Sequence, residues 1–143
     1  MSVPRLVVDT SVIVAGLRSQ LGASNRILTL VAERHIVPLV TTALFLEYED
    51  VLNRPEQRLA TGMATADVSG FLAALASAAE PVEVHFMWRP QLADPADELV
   101  LEAAVNGRAS AIVTHNGRDF LPAAGDFEIE VVTPSVMLER MKK

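Results

Sequence analysis

Short apolar runs alternate along this chain with stretches whose apolar residues recur at helical spacing. Residues 5–9 read as a short buried strand, and Thr10 or Ser11 can cap a following helix that runs through Ile13 and Leu17 until Gly22 interrupts it. Ser24 starts a second helical stretch, 25–34, with Ile27, Leu28 and Val31 as its inner stripe, and the apolar run 36–40 predicts a second strand. Thr42 caps a helix over 43–53 that stops ahead of Pro55, and Thr65 opens another over 66–79 that Pro81 closes. Val82, Val84 and Phe86 alternate with polar neighbours as a strand would, whereas Arg89-Pro90 and Asp94-Pro95 mark a loop. A helix from Asp97 ends at the Asn106-Gly107 stop signal, 111–114 and 129–132 form two further short strands, and Pro134 is the first residue of a closing helix that reaches Lys142.

Strands alternating with helices predict an α/β fold with a mostly parallel central sheet and helices on both faces. A chain of 143 residues, half of them apolar, has the size for one core, so a single domain over 1–143 is expected. The sequence has no cysteine, which excludes disulfides, thiolate metal sites and thiol nucleophiles and fits a reducing cytoplasm. There is no signal-like start and no run near about eighteen apolar residues, so a soluble, unexported protein with no membrane partner is expected. The net charge of −6 runs against the basic surface that phosphate binding usually requires. A cluster of metal-binding carboxylates would account for part of that acidity, leaving Arg18, Arg26, Arg54, Arg58, Arg89 and Arg118 to hold phosphates.

In an open parallel sheet the ligand crevice lies beyond the carboxyl ends of the strands, which makes polar residues there the first candidates. Asp9 ends the first strand, although capping the next helix is an equal use for it. Asp97 falls between Leu101 and Ala104 on its helix, inside the apolar face, whereas Glu98 and Glu102 share the polar side. An ionised group aimed inward needs compensation, and Asp94 or Glu98 can serve the helix start in its place. Glu47 and Glu49 flank the apolar arc of Leu44, Tyr48, Val51 and Leu52 on opposite sides, and periodicity does not choose between them. Asn116 and Asp119 follow the strand 111–114, where an Asn-Gly bend is the plain alternative. His35 and His85 sit in or beside apolar runs as structural residues, and His115 has no second imidazole at ligand spacing, so no zinc site is expected. Phosphate-loop, nucleophile-elbow and dinucleotide fingerprints are absent.

The segments Leu6-Val7-Val8-Asp9-Thr10-Ser11-Val12, Leu44-Phe45-Leu46-Glu47-Tyr48, Asp94-Pro95-Ala96-Asp97-Glu98 and Ile112-Val113-Thr114-His115-Asn116-Gly117-Arg118-Asp119-Phe120 resemble, in order and spacing, the PIN-domain family, and in particular its toxin branch. The resemblance implies a PIN-like fold and a metal-dependent endoribonuclease in which Asp9, Glu47 and Asp97 are the first three metal carboxylates, with Glu47 preferred to Glu49. Asn116 stands where many members have aspartate, and Asp119 keeps the later acid before Phe120. Mg²⁺ or Mn²⁺ is the implied cofactor, RNA the substrate, and a cognate antitoxin and a second copy of the chain the implied partners. Oxygen ligands of this kind suit those hard cations, hydrolysis by water needs no protein nucleophile, and Thr10, Ser11 and Thr114 stand ready to orient ligands. Two other classes compete. A phospho-acceptor signalling domain needs an acidic pair after the first strand and a lysine after the last, where this chain has Asp9 alone and Thr133-Pro134. A PIN-like binding module without catalysis is the second, on the strength of Asn116.

Overall fold

A computed structural model describes residues 3–86 and 90–142. Five strands form one parallel sheet in the order β3-β2-β1-β4-β5, where β1 is Arg5–Val8, β2 is Val37–Val40, β3 is Glu80–Pro81, β4 is Ala111–Val113 and β5 is Glu130–Val132. The central pair β1 and β4 is in register Leu6 to Ala111, Val7 to Ile112 and Val8 to Val113, and all six side chains are buried. Their unbroken apolar sequence follows from that placement, because both faces of a central parallel strand are covered.

Among the described residues eight α-helices accompany the strands, seven between strands and the last after β5: α1 Thr10–Arg18, α2 Ala23–Ala32, α3 Thr42–Leu52, α4 Pro55–Thr61, α5 Thr65–Ala78, α6 Pro95–Gly107, α7 Ala123–Asp126 and α8 Pro134–Met141. The chain moves outward from β1 through β2 to β3, then crosses back to β4 and on to β5. Right-handed crossovers therefore place α1 and α2 on one face and α6 on the other. Helix α6 packs on β1, β2 and β4, while α2 packs on α1, α5 and α8. Leu6, Ile13, Ile27, Leu39, Leu101 and Ile112 belong to the continuous core between these layers. Among the described residues no single helix is long and apolar enough to cross a membrane.

The main departures from the sequence reading have local causes. The strand expected at Val82, Val84 and Phe86 does not form. Among the described residues of this stretch only Val82 N–H reaches the neighbouring strand, at Val40 O, and the N–H groups of His85 and Phe86 donate instead to Asn106 Oδ1, each at 2.8 Å. Pro55 does more than stop the helix before it, because it is also the opening residue of α4, which closes on Gly62 at φ 75°. The caps of α3 and α6 are Thr41, which accepts from Leu44 N–H at 3.1 Å, and Asp94, which accepts from Ala96 N–H at 2.9 Å. At the end of α6 the left-handed residue is Arg108, at φ 54°, and Gly107 is still helical. A Cβ on Gly107 would lie 3.0 Å from Val82 and 3.1 Å from Leu39, so close approach calls for that glycine. Asn116-Gly117 leads into a 3₁₀ turn, Gly117–Phe120, that buries Phe120. His35 and His85 are exposed, against the structural role expected of them. Arg89 lies outside the described residues.

Candidate active site

The direction of chain travel reverses between β1 and β4, and this switch point opens a crevice beyond the carboxyl ends of those two strands. Asp9 is the residue that leaves β1. Its backbone N–H donates to Val113 O at 2.9 Å and its carbonyl accepts from Val12 N–H at 2.9 Å, so the main chain is held on both sides. Its side chain makes no cap hydrogen bond to α1. Instead Oδ2 accepts from Ser11 Oγ and from Thr114 Oγ1, both at 2.7 Å, and Asp9 is only 6% exposed. Among the described residues Oδ1 has no hydrogen-bond partner, which leaves it available to a ligand in the crevice. The two hydroxyls are themselves anchored. Ser11 Oγ accepts from His115 N–H at 3.3 Å, and Thr114 Oγ1 accepts from Asn116 N–H at 3.0 Å.

Asp97 lies in the first turn of α6, on the side of Val100, Leu101 and Ala104, and is half-buried as its helical position predicts. With Asp94 taking the cap, the Asp97 carboxylate has no hydrogen-bond donor among the described residues. Burial pushes its pKa up to about 6, helped in turn by the charges of Asp9, Asp94, Asp119 and Glu98. Acids from the end of β1, the start of α6 and the turn after β4 thus share one electrostatic neighbourhood. Asp119 and Asn116 are both exposed on that last segment. Glu47 is half-buried on α3, and the charge it supports is the guanidinium of Arg54; it is not among the groups that raise Asp97. Among the described residues no three acidic or histidine side chains converge closely enough to hold a metal ion.

The PIN domain family model matches residues 5–118, from the first residue of β1 to the turn before Asp119. The chain belongs to the PIN-domain family. A search of curated proteins finds no match. PIN domains are generally nucleases and typically use divalent metal ions.

Two features of this PIN domain were not visible in the pattern of residues. Tyr48, read only as part of an apolar arc, is fully buried and its hydroxyl donates to Val8 O at the end of β1. Burial and the nearby Asp9 charge push the phenol pKa up, so it remains a donor and ties α3 to the residue before Asp9. The other is the partner of His115, whose Nε2 lies 2.6 Å from Oγ of Ser24 on α2. No sequence signal links positions 91 residues apart. Among the arginines considered for phosphate, Arg26 pairs with Glu33 at 3.8 Å and Arg54 with Asp50 at 2.8 Å, while Arg58 is half-buried. Arg18 and Arg118 are exposed and have no partner among the described residues, and Arg118 adjoins Asp119.

Proposed function

We propose that this PIN domain is a Mg²⁺- or Mn²⁺-dependent endoribonuclease and the toxin of a toxin–antitoxin pair. The observation that carries the reading is Asp97, a half-buried carboxylate without a donor among the described residues, raised first by burial and then by Asp9 and its other acidic neighbours beside the strand-order switch. Structural carboxylates are ordinarily paired; a shared surplus of negative charge in a crevice is suited to a cation. The donor set consists of oxygens, which suits a hard divalent ion that keeps several waters and needs only one or two carboxylates, so Asp9 and Asp97 would hold it directly and Asp119, Glu47 and Asn116 would act on it through its waters. When bound, such an ion neutralises phosphate charge and makes an attacking water more acidic. The chain's own part is positional. Ser11 and Thr114 fix one oxygen of Asp9 and turn the other to the crevice, Tyr48 fixes the backbone before it, and Arg118 offers an unpaired guanidinium to a phosphate at the same end.

Cleavage of single-stranded RNA is measured with Mg²⁺, Mn²⁺, Ca²⁺ or EDTA for the wild type, Asp9→Asn and Asp97→Asn. Turnover is expected with Mg²⁺ or Mn²⁺, little with Ca²⁺ and none with EDTA, and each substitution should lower the rate by about a hundredfold or more. Cleavage undiminished in EDTA would sink the mechanism, and full turnover by either variant would remove that residue from it. Asn116, and the absence of Glu47 from the charges that raise Asp97, favour a second reading, an RNA-binding module without catalysis; RNA retained but uncut in every metal would establish it.

A further inference from the structure

Ser24 is 4% exposed, in the first turn of α2, and held by close packing of α2 on α1: a Cβ at Gly16 would lie 3.0 Å from Ser24 O. Among the described residues its hydroxyl has one hydrogen-bond partner, Nε2 of His115 at 2.6 Å. A buried hydroxyl proton needs an acceptor. Ser24 Oγ–H therefore donates to Nε2, which requires the neutral imidazole to carry its own proton on Nδ1. His115 is exposed, and Nδ1 has no partner among the described residues. Its backbone is fixed as well, through N–H to Ser11 Oγ and thence to Asp9 Oδ2.

We infer that His115, oriented by Ser24, is a substrate-binding residue whose Nδ1–H donates to a non-bridging phosphate oxygen of RNA in the crevice. The inference rests on the ribonuclease reading above. The crevice repels phosphate through Asp9, Asp97 and Asp119, and a surface histidine free to choose its tautomer would present a donor only part of the time. The contact with Ser24 ties the ring to α2, whereas Asp97 stands on α6. No change of protonation is involved. Ser24 acts only through His115 and is a positioning residue.

Two measurements test this. In steady-state RNA cleavage with Mn²⁺, His115→Ala and His115→Gln should raise KM about tenfold with kcat within about twofold, the pattern of a uniform binding contact. His115→Asn, whose amide reaches nearly the Nδ1 position, should raise KM only about two- to threefold, whereas glutamine replaces Nε2 alone. Unchanged KM in all three variants of an active enzyme would overturn the inference and leave the ribonuclease reading standing. Nitrogen-15 NMR of the imidazole is the second measurement and does not depend on turnover. The wild type should show the Nδ1–H tautomer, its Nδ1 resonance should move on titration with a non-cleavable phosphorothioate oligonucleotide, and Ser24→Ala should lose the tautomer preference. An Nε2–H tautomer in the wild type, or no shift with oligonucleotide, would overturn the inference. If the wild type cuts no RNA in any metal, the ribonuclease reading fails and the NMR outcome alone decides whether His115 meets phosphate.

Discussion

At the scale of single residues, Asp9 and Asp97 solve opposite problems. Asp9 is the more buried, yet two hydroxyl donors satisfy one of its oxygens; Asp97 is half-exposed and has no donor among the described residues, so it bears the repulsion of its neighbours. The consequence for stability has a definite sign. Asp97 titrates at about 6 in the folded chain against an ordinary 3.8, so between those pH values the folded state keeps a proton that the unfolded state has released. Stability then falls as pH rises through that window, and the full penalty applies above it. Asparagine has no such penalty. Allowing for screening at a group so open to solvent, Asp97→Asn should stabilise the metal-free protein by about 1 kcal/mol at pH 7.5 and by almost nothing at pH 4. Urea unfolding at the two pH values in EDTA checks this, and a variant less stable than wild type at pH 7.5 contradicts it. Added Mn²⁺ should reverse the order, since the wild type has the better site to bind it. Helical periodicity alone revealed the inward direction of Asp97. The hydroxyl pair on Asp9 and the Ser24–His115 contact were not legible, because they depend on side-chain geometry across a fold that places residues 105 and 91 positions apart in contact.

At the scale of elements, the sequence was most readable where an element depends on its own residues. The apolar runs of β1, β2, β4 and β5 and the stripes of α2 and α3 lie where the pattern placed them, within a residue or two. Failure came where an element depends on a partner. Val82, Val84 and Phe86 alternate correctly for a strand, but a strand requires a ladder, and Asn106 on α6 takes the N–H groups of His85 and Phe86. Glycine shows the same division. Gly70 lies within α5 with nothing near a prospective Cβ, whereas a Cβ at Gly16 would meet Leu28 Cδ1 at 2.6 Å and the Ser24 carbonyl at 3.0 Å. Gly70→Ala should therefore stabilise by about 0.5–1 kcal/mol through helix propensity and a less disordered unfolded chain. Gly16→Ala should destabilise by about 1–3 kcal/mol, because the flexible leucine can yield but the backbone carbonyl moves only with α2. Thermal melts of the two variants test the contrast. Equal stabilisation by both would mean that the α1–α2 contact is looser than its geometry states.

For the molecule as a whole, the acidity that argued against a nucleic-acid enzyme has a local explanation in part: the charges of Asp9, Asp94, Asp119 and Glu98 all bear on Asp97 at one end of the sheet. Such a cluster is costly without a cation. An antitoxin that inserts an arginine or lysine would supply that charge and block the path of the phosphate together. This is the partner we propose, and its inhibition should compete with metal. Raising Mn²⁺ from about 0.1 to about 10 mM should then weaken the apparent inhibition of RNA cleavage in proportion to metal-site occupancy. An inhibition constant indifferent to Mn²⁺ would place the antitoxin elsewhere on the protein. The surface also offers apolar area for a second copy of the chain. Leu21 is 98% and Leu46 54% exposed, while Leu17 packs against the core. A homodimer that covers Leu21 or Leu46 should lose affinity on Leu21→Glu or Leu46→Glu while the monomer stays folded, because neither side chain belongs to the core. Light scattering coupled to size exclusion gives the mass of each variant, and a wild type that remains monomeric at working concentration would rule out the dimer without touching the antitoxin proposal.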